Sequence, residues 1–277
     1  MLKLLSPAKI NLFLKVVSKR DDGYHNLASL FQAIDLCDNL TFQLTDQNQD
    51  HLICNDPFIP TDHRNLILKA ANLFRQKTKL TFGIQVTLEK RIPHQAGLGG
   101  GSSNAATTLW ALNKLCGEPA TIQDLASWSA EIGSDITFFL SQGTAYCTGR
   151  GEIIEPLQPL QPTRVWIIKP KQGLSTPEVF GRLDLKSLPY RDPIDQLNQF
   201  LKGNRTYFND LELPAFSAMP ALALLKEQLL EVGFETVLMS GSGSALFCIG
   251  DVNPPILPNV NYYQANFLNR AANHWFA

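Results

Sequence analysis

The stretch Pro93-His94-Gln95-Ala96-Gly97-Leu98-Gly99-Gly100-Gly101-Ser102-Ser103-Asn104 decides how this chain of 277 residues is read. Three consecutive glycines remove Cβ from the backbone, so the segment can fold tightly against a ligand. From about Asn104 to Cys116, the residues Ala105, Leu109, Leu112 and Leu115 recur at helical spacing, and Gly117 and Pro119 end that helix. A helix start turns its unpaired N–H groups, and the positive end of its dipole, back toward the loop. Such a loop suits phosphate. It is not a P-loop, because the lysine of G-x-x-x-x-G-K-[ST] is missing. Nor is it the dinucleotide fingerprint, since Ser102 stands where the last glycine of G-x-G-x-x-G would fall. Protein-kinase signatures are absent as well. The plain alternative is a flexible loop before a helix, and three glycines and two serines fused to a strong helix argue against it.

Upstream of the loop, Ile10 to Val17 reads as a strand, followed by a turn at Asp21-Asp22-Gly23. Further strands are expected around Leu27–Leu36, Leu40–Leu44 and Phe82–Leu88, with a helix over Asn65–Gln76. Downstream, Thr121 and Asp124 form a variant of the capping box that opens a helix stopped by Gly133, and a short helix is expected over Asp135–Ser141. The stretch Leu157–Thr163, with two prolines, is linker-like. Beyond it come strands at Val165–Lys169, Thr236–Met239, Ala245–Ile249 and Tyr262–Leu268, a helix over Met219–Val232, and weakly patterned helices within 183–205. This is an α+β pattern in two parts, 1–158 and 159–277.

Composition narrows the function. Lys+Arg number 24 and Asp+Glu 25, a formal net charge of -1, which argues against non-specific nucleic-acid binding. No apolar run is long enough to span a bilayer, so no membrane partner is expected. Cys37, Cys54, Cys116, Cys147 and Cys248 are scattered and form no C-x-x-C pair. They read as free thiols of a reducing cytoplasm.

The glycine-rich loop resembles the phosphate-binding motif of the superfamily named for galactokinase, homoserine kinase, mevalonate kinase and phosphomevalonate kinase, the GHMP kinases. Four motifs narrow the resemblance: Ser6-Pro7-Ala8-Lys9-Ile10-Asn11-Leu12-Phe13-Leu14, Asp22-Gly23-Tyr24-His25, the Gly-Gly-Gly-Ser-Ser-Asn loop and Gly133-Ser134-Asp135. In this order they are similar to the family of 4-diphosphocytidyl-2-C-methyl-D-erythritol kinases, and the likeness runs from Lys3 to Phe247. It implies ATP-dependent phosphorylation of the C2 hydroxyl of the erythritol moiety, in the non-mevalonate isoprenoid pathway. It also implies an N-terminal ATP-binding domain like the second domain of ribosomal protein S5, a ferredoxin-like C-terminal domain, and a substrate held between them.

The resemblance assigns roles residue by residue. Asp135 matches the family's catalytic aspartate, which accepts the substrate hydroxyl proton as the oxygen attacks the γ-phosphate; a helix-start acid is the plain reading. Lys9 matches the catalytic lysine. It lies in an apolar strand and needs a partner, for which Asp135 is the candidate; a lysine snorkelling at a sheet edge is the alternative. Asn11 shares its strand face and reads as an orienter of substrate or of Lys9. Tyr24 and His25 match contacts to the cytidine group, with Phe180 opposite Tyr24 and Thr176 nearby; a solvated turn pair and a core Phe are the bland readings. Gly241 and Gly243, in Ser240-Gly241-Ser242-Gly243-Ser244, resemble a third superfamily motif that closes the pocket, or a plain hairpin turn. Asn104 is assigned to substrate. Pro93 to Ser103 are assigned to ATP, with Asn65, which either touches the nucleoside or caps its helix. Asn209 to Glu212 are given a structural role only. No acidic residue stands out as a Mg²⁺ ligand, so the ion is expected on phosphates and water, with Ser103 the one protein candidate.

Two other functions remain in view. A sister kinase acting on homoserine or mevalonate would give the Tyr24–His25 and Phe180 aromatics no purpose. A non-catalytic S5-like module binding RNA or protein predicts a basic face and no need for Asp135. The expected partner is a small-molecule substrate, the assembly a monomer or homodimer, and the compartment the cytoplasm, because the chain begins almost directly with its first strand.

Overall fold

The computed structural model describes residues 1–47 and 49–276. The chain opens with two long antiparallel strands, β1 (Leu2–Lys19) and β2 (His25–Thr45), joined by the turn at Asp21–Gly23. They pair from Leu2↔Phe42 to Lys19↔His25, with irregularities at Pro7/Ala8, Asn11/Phe13 and Val16/Ser18. The two strands expected over Leu27–Leu36 and Leu40–Leu44 are thus one continuous ribbon. Cys37, Asp38 and Asn39 pair with Pro7, Ser6 and Leu5, so the polar break does not interrupt it.

β3 (His51–Cys54), α1 (Leu66–Thr78) and β4 (Gly83–Glu89) follow. α2 (Gly100–Leu115) crosses the sheet, and α3 (Ile122–Ser129) starts on the Thr121–Asp124 capping box, both halves of which are present. α4 (Ile136–Phe139), β5 (Thr144–Gly149) and β6 (Ile153–Pro156) complete a seven-stranded sheet with the order β3-β4-β2-β1-β8, in which β5 pairs with β2 and β6 with β5. Its strand β8 (Phe208–Asn209) comes from the second half of the chain and pairs in parallel with Phe13 and Leu14 of β1. One face of this sheet carries α1 and α2, whose Ala70, Phe74, Ala105 and Leu109 pack on Phe42, Val86 and Phe31 in one apolar cluster.

The second sheet holds β7 (Arg164–Pro170), β9 (Thr236–Met239), β10 (Leu246–Ile249) and β11 (Val260–Asn266), in the order β11-β7-β10-β9. Read along the chain this is fourth-first-third-second, all antiparallel, the ferredoxin order. Between β7 and β9 come α5 (Thr176–Gly181), α6 (Pro193–Leu201), α7 (Glu212–Ala218) and α8 (Pro220–Glu231). The connection from β10 to β11 carries no helix. Leu222, Leu225 and Leu229 of α8 seat on Val237, Leu246 and Met239 of the sheet. After β11 the chain returns to the first half, where Trp275 and Phe276 are buried beside Trp110. Among the described residues, no helix is long and apolar enough to cross a membrane.

Candidate active site

The glycine loop is held from three sides. Leu98 accepts a hydrogen bond from the Lys9 amide of β1 at 2.9 Å, so the loop lies directly on the central strand. The buried carboxylate of Asp38 on β2 accepts from the Arg91 and Ile92 amides, each at 2.8 Å, from Asn104 Nδ2 at 2.9 Å, and from Lys90 Nζ at 2.5 Å. On the third side Ser240 Oγ donates to the Gly97 carbonyl at 3.0 Å, and the Ala245 amide donates to the Ala96 carbonyl at 3.2 Å. The loop therefore sits between the two sheets.

Helix α2 begins within the glycines, not at Asn104 as the spacing predicts. Gly99 takes φ 68°, a left-handed geometry that opens the helix without a side-chain cap. The first amides, of Gly100, Gly101 and Ser102, keep no side-chain partner and face a cavity of about 360 Å³. Pro93 to Ser102 all line that cavity, together with Arg64, Asn65, Leu66 and Lys90. Asn65 serves as the N-cap of α1, its Oδ1 accepting from the Ile67 amide at 2.9 Å, and it also lines the cavity, so the two readings of this residue coexist.

Ser103 and Asn104 follow on the helix; Ser103 is rotated inward, whereas Asn104 still borders the cavity. Ser103 is fully buried and its Oγ accepts from Ser6 Oγ at 2.8 Å, which keeps it off the cavity wall. Its hydroxyl thus meets Ser6 and not the cavity. Asn104 spends its amide nitrogen on Ser6 Oγ and Asp38, and so fastens α2 to the ribbon. Among the described residues no three His, Cys, Asp or Glu side chains gather into a metal-holding group.

Beyond the cavity, Lys9 and Asn11 share one face of β1. The Lys9 ammonium is 3% exposed and donates to Asn11 Oδ1 at 2.8 Å. It lies 3.4 Å from Asp135 Oδ2 and 4.4 Å from the centre of the Phe31 ring. Asn11 Nδ2 donates to Ser29 Oγ at 2.9 Å, fixing which way its amide faces. Asp135 is the N-cap of α4, makes no capping bond there, and is 32% exposed, so its carboxylate is free to meet a ligand. A Cβ on Gly99 would lie 3.1 Å from Lys9 Cγ, which measures how closely the pair abuts the loop. A Cβ on Gly241 would meet Gly97 Cα at 3.4 Å and Asn11 Oδ1 at 3.5 Å. Gly241 and Gly243 both have positive φ, and Thr176 Oγ1 lies 2.7 Å from Ser242 Oγ.

The turn Gly149–Gly151 leads from this pair to the aromatic group. A Cβ on Gly151 would lie 3.2 Å from Asp135 Oδ1, and the Arg150 guanidinium lies 5.3 Å from the Tyr24 ring. Phe180 does not face Tyr24 as expected. It stacks on His25, with ring centres 5.0 Å apart and planes at 27°. Tyr24 follows the turn and is 58% exposed, whereas His25 is the first residue of β2 and meets Phe180 of the second half of the chain. Burial, then the nearby Lys19 charge, pulls the His25 imidazole below its ordinary value.

Sequence reading missed Asp38 and Lys90, and placed Ser6 in a motif without giving it a role. Their partners are distant in the chain, and nothing local announces them. A cavity of about 890 Å³ lies elsewhere, against Arg191, Tyr207 and Lys226, and touches neither the loop nor Asp135.

Open helix amides under a glycine loop, with a buried lysine and an accessible aspartate beside them, define a small-molecule kinase of the GHMP class. Residues 65–143 match the family described as GHMP kinases N terminal domain. Over its full length the chain is 53% identical to the 4-diphosphocytidyl-2-C-methyl-D-erythritol kinase of Protochlamydia amoebophila (strain UWE25), covering 93% of that protein. It is 46% identical to the chloroplastic enzyme of that name from Arabidopsis thaliana, over 99% of this chain and 76% of that one. A crystal structure of 4-(cytidine 5'-diphospho)-2C-methyl-D-erythritol kinase superposes with a TM-score of 0.80 at 32% identity, covering 97% of this chain and 100% of that one. A homoserine kinase from Cytophaga hutchinsonii superposes at 0.75 with 16% identity, a likeness of fold alone. The chain belongs to the 4-diphosphocytidyl-2-C-methyl-D-erythritol kinase family.

Proposed function

We propose that the chain transfers the γ-phosphoryl group of ATP to the C2 hydroxyl of 4-diphosphocytidyl-2-C-methyl-D-erythritol, a step of the non-mevalonate route to isoprenoid precursors. The observation that carries this reading is the Lys9–Asp135 pair, 3.4 Å apart and set against the glycine loop. The amides of Gly100, Gly101 and Ser102 hold phosphate oxygens of ATP, and Asn65 faces its nucleoside. Asp135 takes the proton of the attacking hydroxyl. Lys9 fixes the carboxylate and offers its ammonium to the charge on the transferring group. Asn11 holds Lys9 in place. Tyr24, His25, Phe180 and Thr176 receive the cytidyl end, where a stacked ring recognises the base. Gly241 and Gly243 let the Ser240–Ser244 turn approach the loop closely enough to close the site.

ATP chemistry ordinarily uses Mg²⁺ bridging the β- and γ-oxygens. The described residues offer no ligand cage for it, and Ser103 is turned away. The ion would therefore arrive on the phosphates and water, and no step above depends on a protein ligand to it. We assign residues 1–158 to ATP and 159–277 to closing the substrate site, and we place the enzyme in the cytoplasm as a monomer or homodimer without nucleic-acid or membrane partners. Buried free thiols at Cys37, Cys147 and Cys248 support a reducing compartment.

The test is ADP release from Mg-ATP with the cytidyl substrate, beside homoserine and mevalonate. Release with the cytidyl substrate alone is expected. Release with another acceptor would keep the class and move the substrate; silence with all three would overturn the reading.

A further inference from the structure

The hydrogen bonds behind Lys9 lead back to Ser29. This residue is buried on β2, two positions before Phe31, and so shares the sheet face of Phe31, Lys9 and Asn11. A break in the ladder makes room for it there. Asn11 pairs with Phe31 and Phe13 with Leu30, so Leu12 is an extra residue of β1. In a regular ladder Phe13 would stand opposite Ser29 and bring its ring onto this face. With Leu12 inserted, Phe13 packs instead with Ile10, Leu12 and Leu30, and its carbonyl is left within reach of Ser29.

A serine hydroxyl has one proton, and that of Ser29 goes to the Phe13 carbonyl at 2.5 Å. Toward Asn11 the Ser29 oxygen can therefore only accept, and Asn11 Nδ2 donates to it at 2.9 Å. That leaves Asn11 Oδ1 for Lys9, whose Nζ donates to it at 2.8 Å and lies 3.4 Å from Asp135 Oδ2. Turned over, the Asn11 amide would set its N–H groups against the ammonium and its oxygen against the Ser29 oxygen. Ser29, Asn11 and Lys9 are all buried, so a partner lost from this chain leaves a polar group unpaired.

We propose that Ser29 is a positioning residue of the phosphoryl transfer. Its hydroxyl sets the direction of the Asn11 amide, and the amide keeps the Lys9 ammonium beside Asp135. This role presupposes Lys9 and Asp135 as the reacting pair. Ser29 does not line the cavity of the glycine loop, so ATP binding is independent of it.

The test is steady-state kinetics of the full chain with Mg-ATP and the cytidyl substrate, on Ser29→Ala, Ser29→Cys, Ser29→Thr, Asn11→Ala and the Ser29→Ala, Asn11→Ala double variant. Ser29→Ala should lower kcat about tenfold with KM for ATP unchanged. Ser29→Cys fills the same space with a weak donor and weak acceptor, should lose as much, and serves if the alanine variant does not fold. Ser29→Thr keeps the hydroxyl and should stay within about threefold of wild type. Added to Asn11→Ala, Ser29→Ala should lower kcat no further, because the amide it directs is already gone. A kcat for Ser29→Cys within about twofold of wild type, or a full further loss on the Asn11→Ala background, would overturn the role and leave Ser29 a structural hydroxyl. A rise in KM for ATP with kcat unchanged would do the same. No ADP release by wild type would remove the reacting pair itself, whereas release by wild type with a Ser29 series out of this order would remove Ser29 alone.

Discussion

Lys9 shows what one residue needs in order to work here. Its ammonium is almost wholly buried, and Asp135, Asn11 and the Phe31 ring each take part of its charge. Asp135→Asn keeps the shape but removes the proton acceptor, so kcat should fall by about 10²–10⁴ with KM for both substrates little changed. Steady-state kinetics decide; turnover within a few-fold of wild type would place the base elsewhere. His25 makes a prediction in pH. Its imidazole is held below the ordinary 6.5, first by burial and then by Lys19. The folded, stacked form therefore favours neutral imidazole, and its contribution is complete above about pH 6.5 and lost as pH falls through the lowered value. KM for the cytidyl substrate should be flat above that pH and rise on acidification, and His25→Asn should remove the rise. Lys9 and Asn11 were legible because strand alternation puts them on one face. Asp38 was not, because its four partners lie 52 to 66 positions away and nothing local announces them.

At the scale of elements, the loop and the facing turn set the tolerances. Gly97 has φ 73°, and a Cβ there would run into the Ser240 carbonyl, which is backbone and cannot swing aside. Gly99 has φ 68°, and its Cβ would meet Phe139 at 2.9 Å and Lys9 Cγ at 3.1 Å. Gly99→Ala therefore strains the start of α2 and pushes Lys9 at once, so kcat should fall and KM for ATP rise together. Thr121→Ala is the contrasting case. It removes the capping box of α3, far from the loop, and should cost about 0.5–2 kcal/mol in denaturant unfolding with kinetics unchanged. Helix propensity explains why the start of α2 was misplaced in sequence: glycine disfavours helix interiors, so three of them read as loop. Here Gly100 and Gly101 are the first turn, and a Cβ on Gly100 would lie 2.8 Å from Lys90 Nζ and 3.0 Å from Ile92, so close packing decides against propensity. The short helices α5 and α7 were illegible because six or seven residues hold too little periodicity, and packing on the second sheet decides them.

Two of the ties between the halves of the chain differ in what they should control. Asn209, on β8, donates through Nδ2 to the carbonyls of Met239 and Gly241, both at 2.7 Å, while its Oδ1 accepts from the Leu211 amide at 2.9 Å. It thus joins the strand beside β1 to the turn that covers the glycine loop. Trp275 is the other tie: its Nε1 donates to the Leu5 carbonyl at 2.7 Å, and its ring packs on Trp110 5.2 Å away, anchoring the tail on the first half. Removing either side chain leaves buried polar groups unpaired, but only Asn209 borders the site. Trp275→Ala should cost about 3–5 kcal/mol, read as a lower denaturant midpoint with kcat and both KM values close to wild type. Asn209→Ala should cost less, about 1–3 kcal/mol, yet raise KM and lower kcat, because the Ser240–Ser244 turn loses its hold over the loop. Unfolding curves and steady-state kinetics on the two variants separate the ties. Should Trp275→Ala disturb catalysis as much as Asn209→Ala does, the tail would belong to the working site and the two ties would act as one.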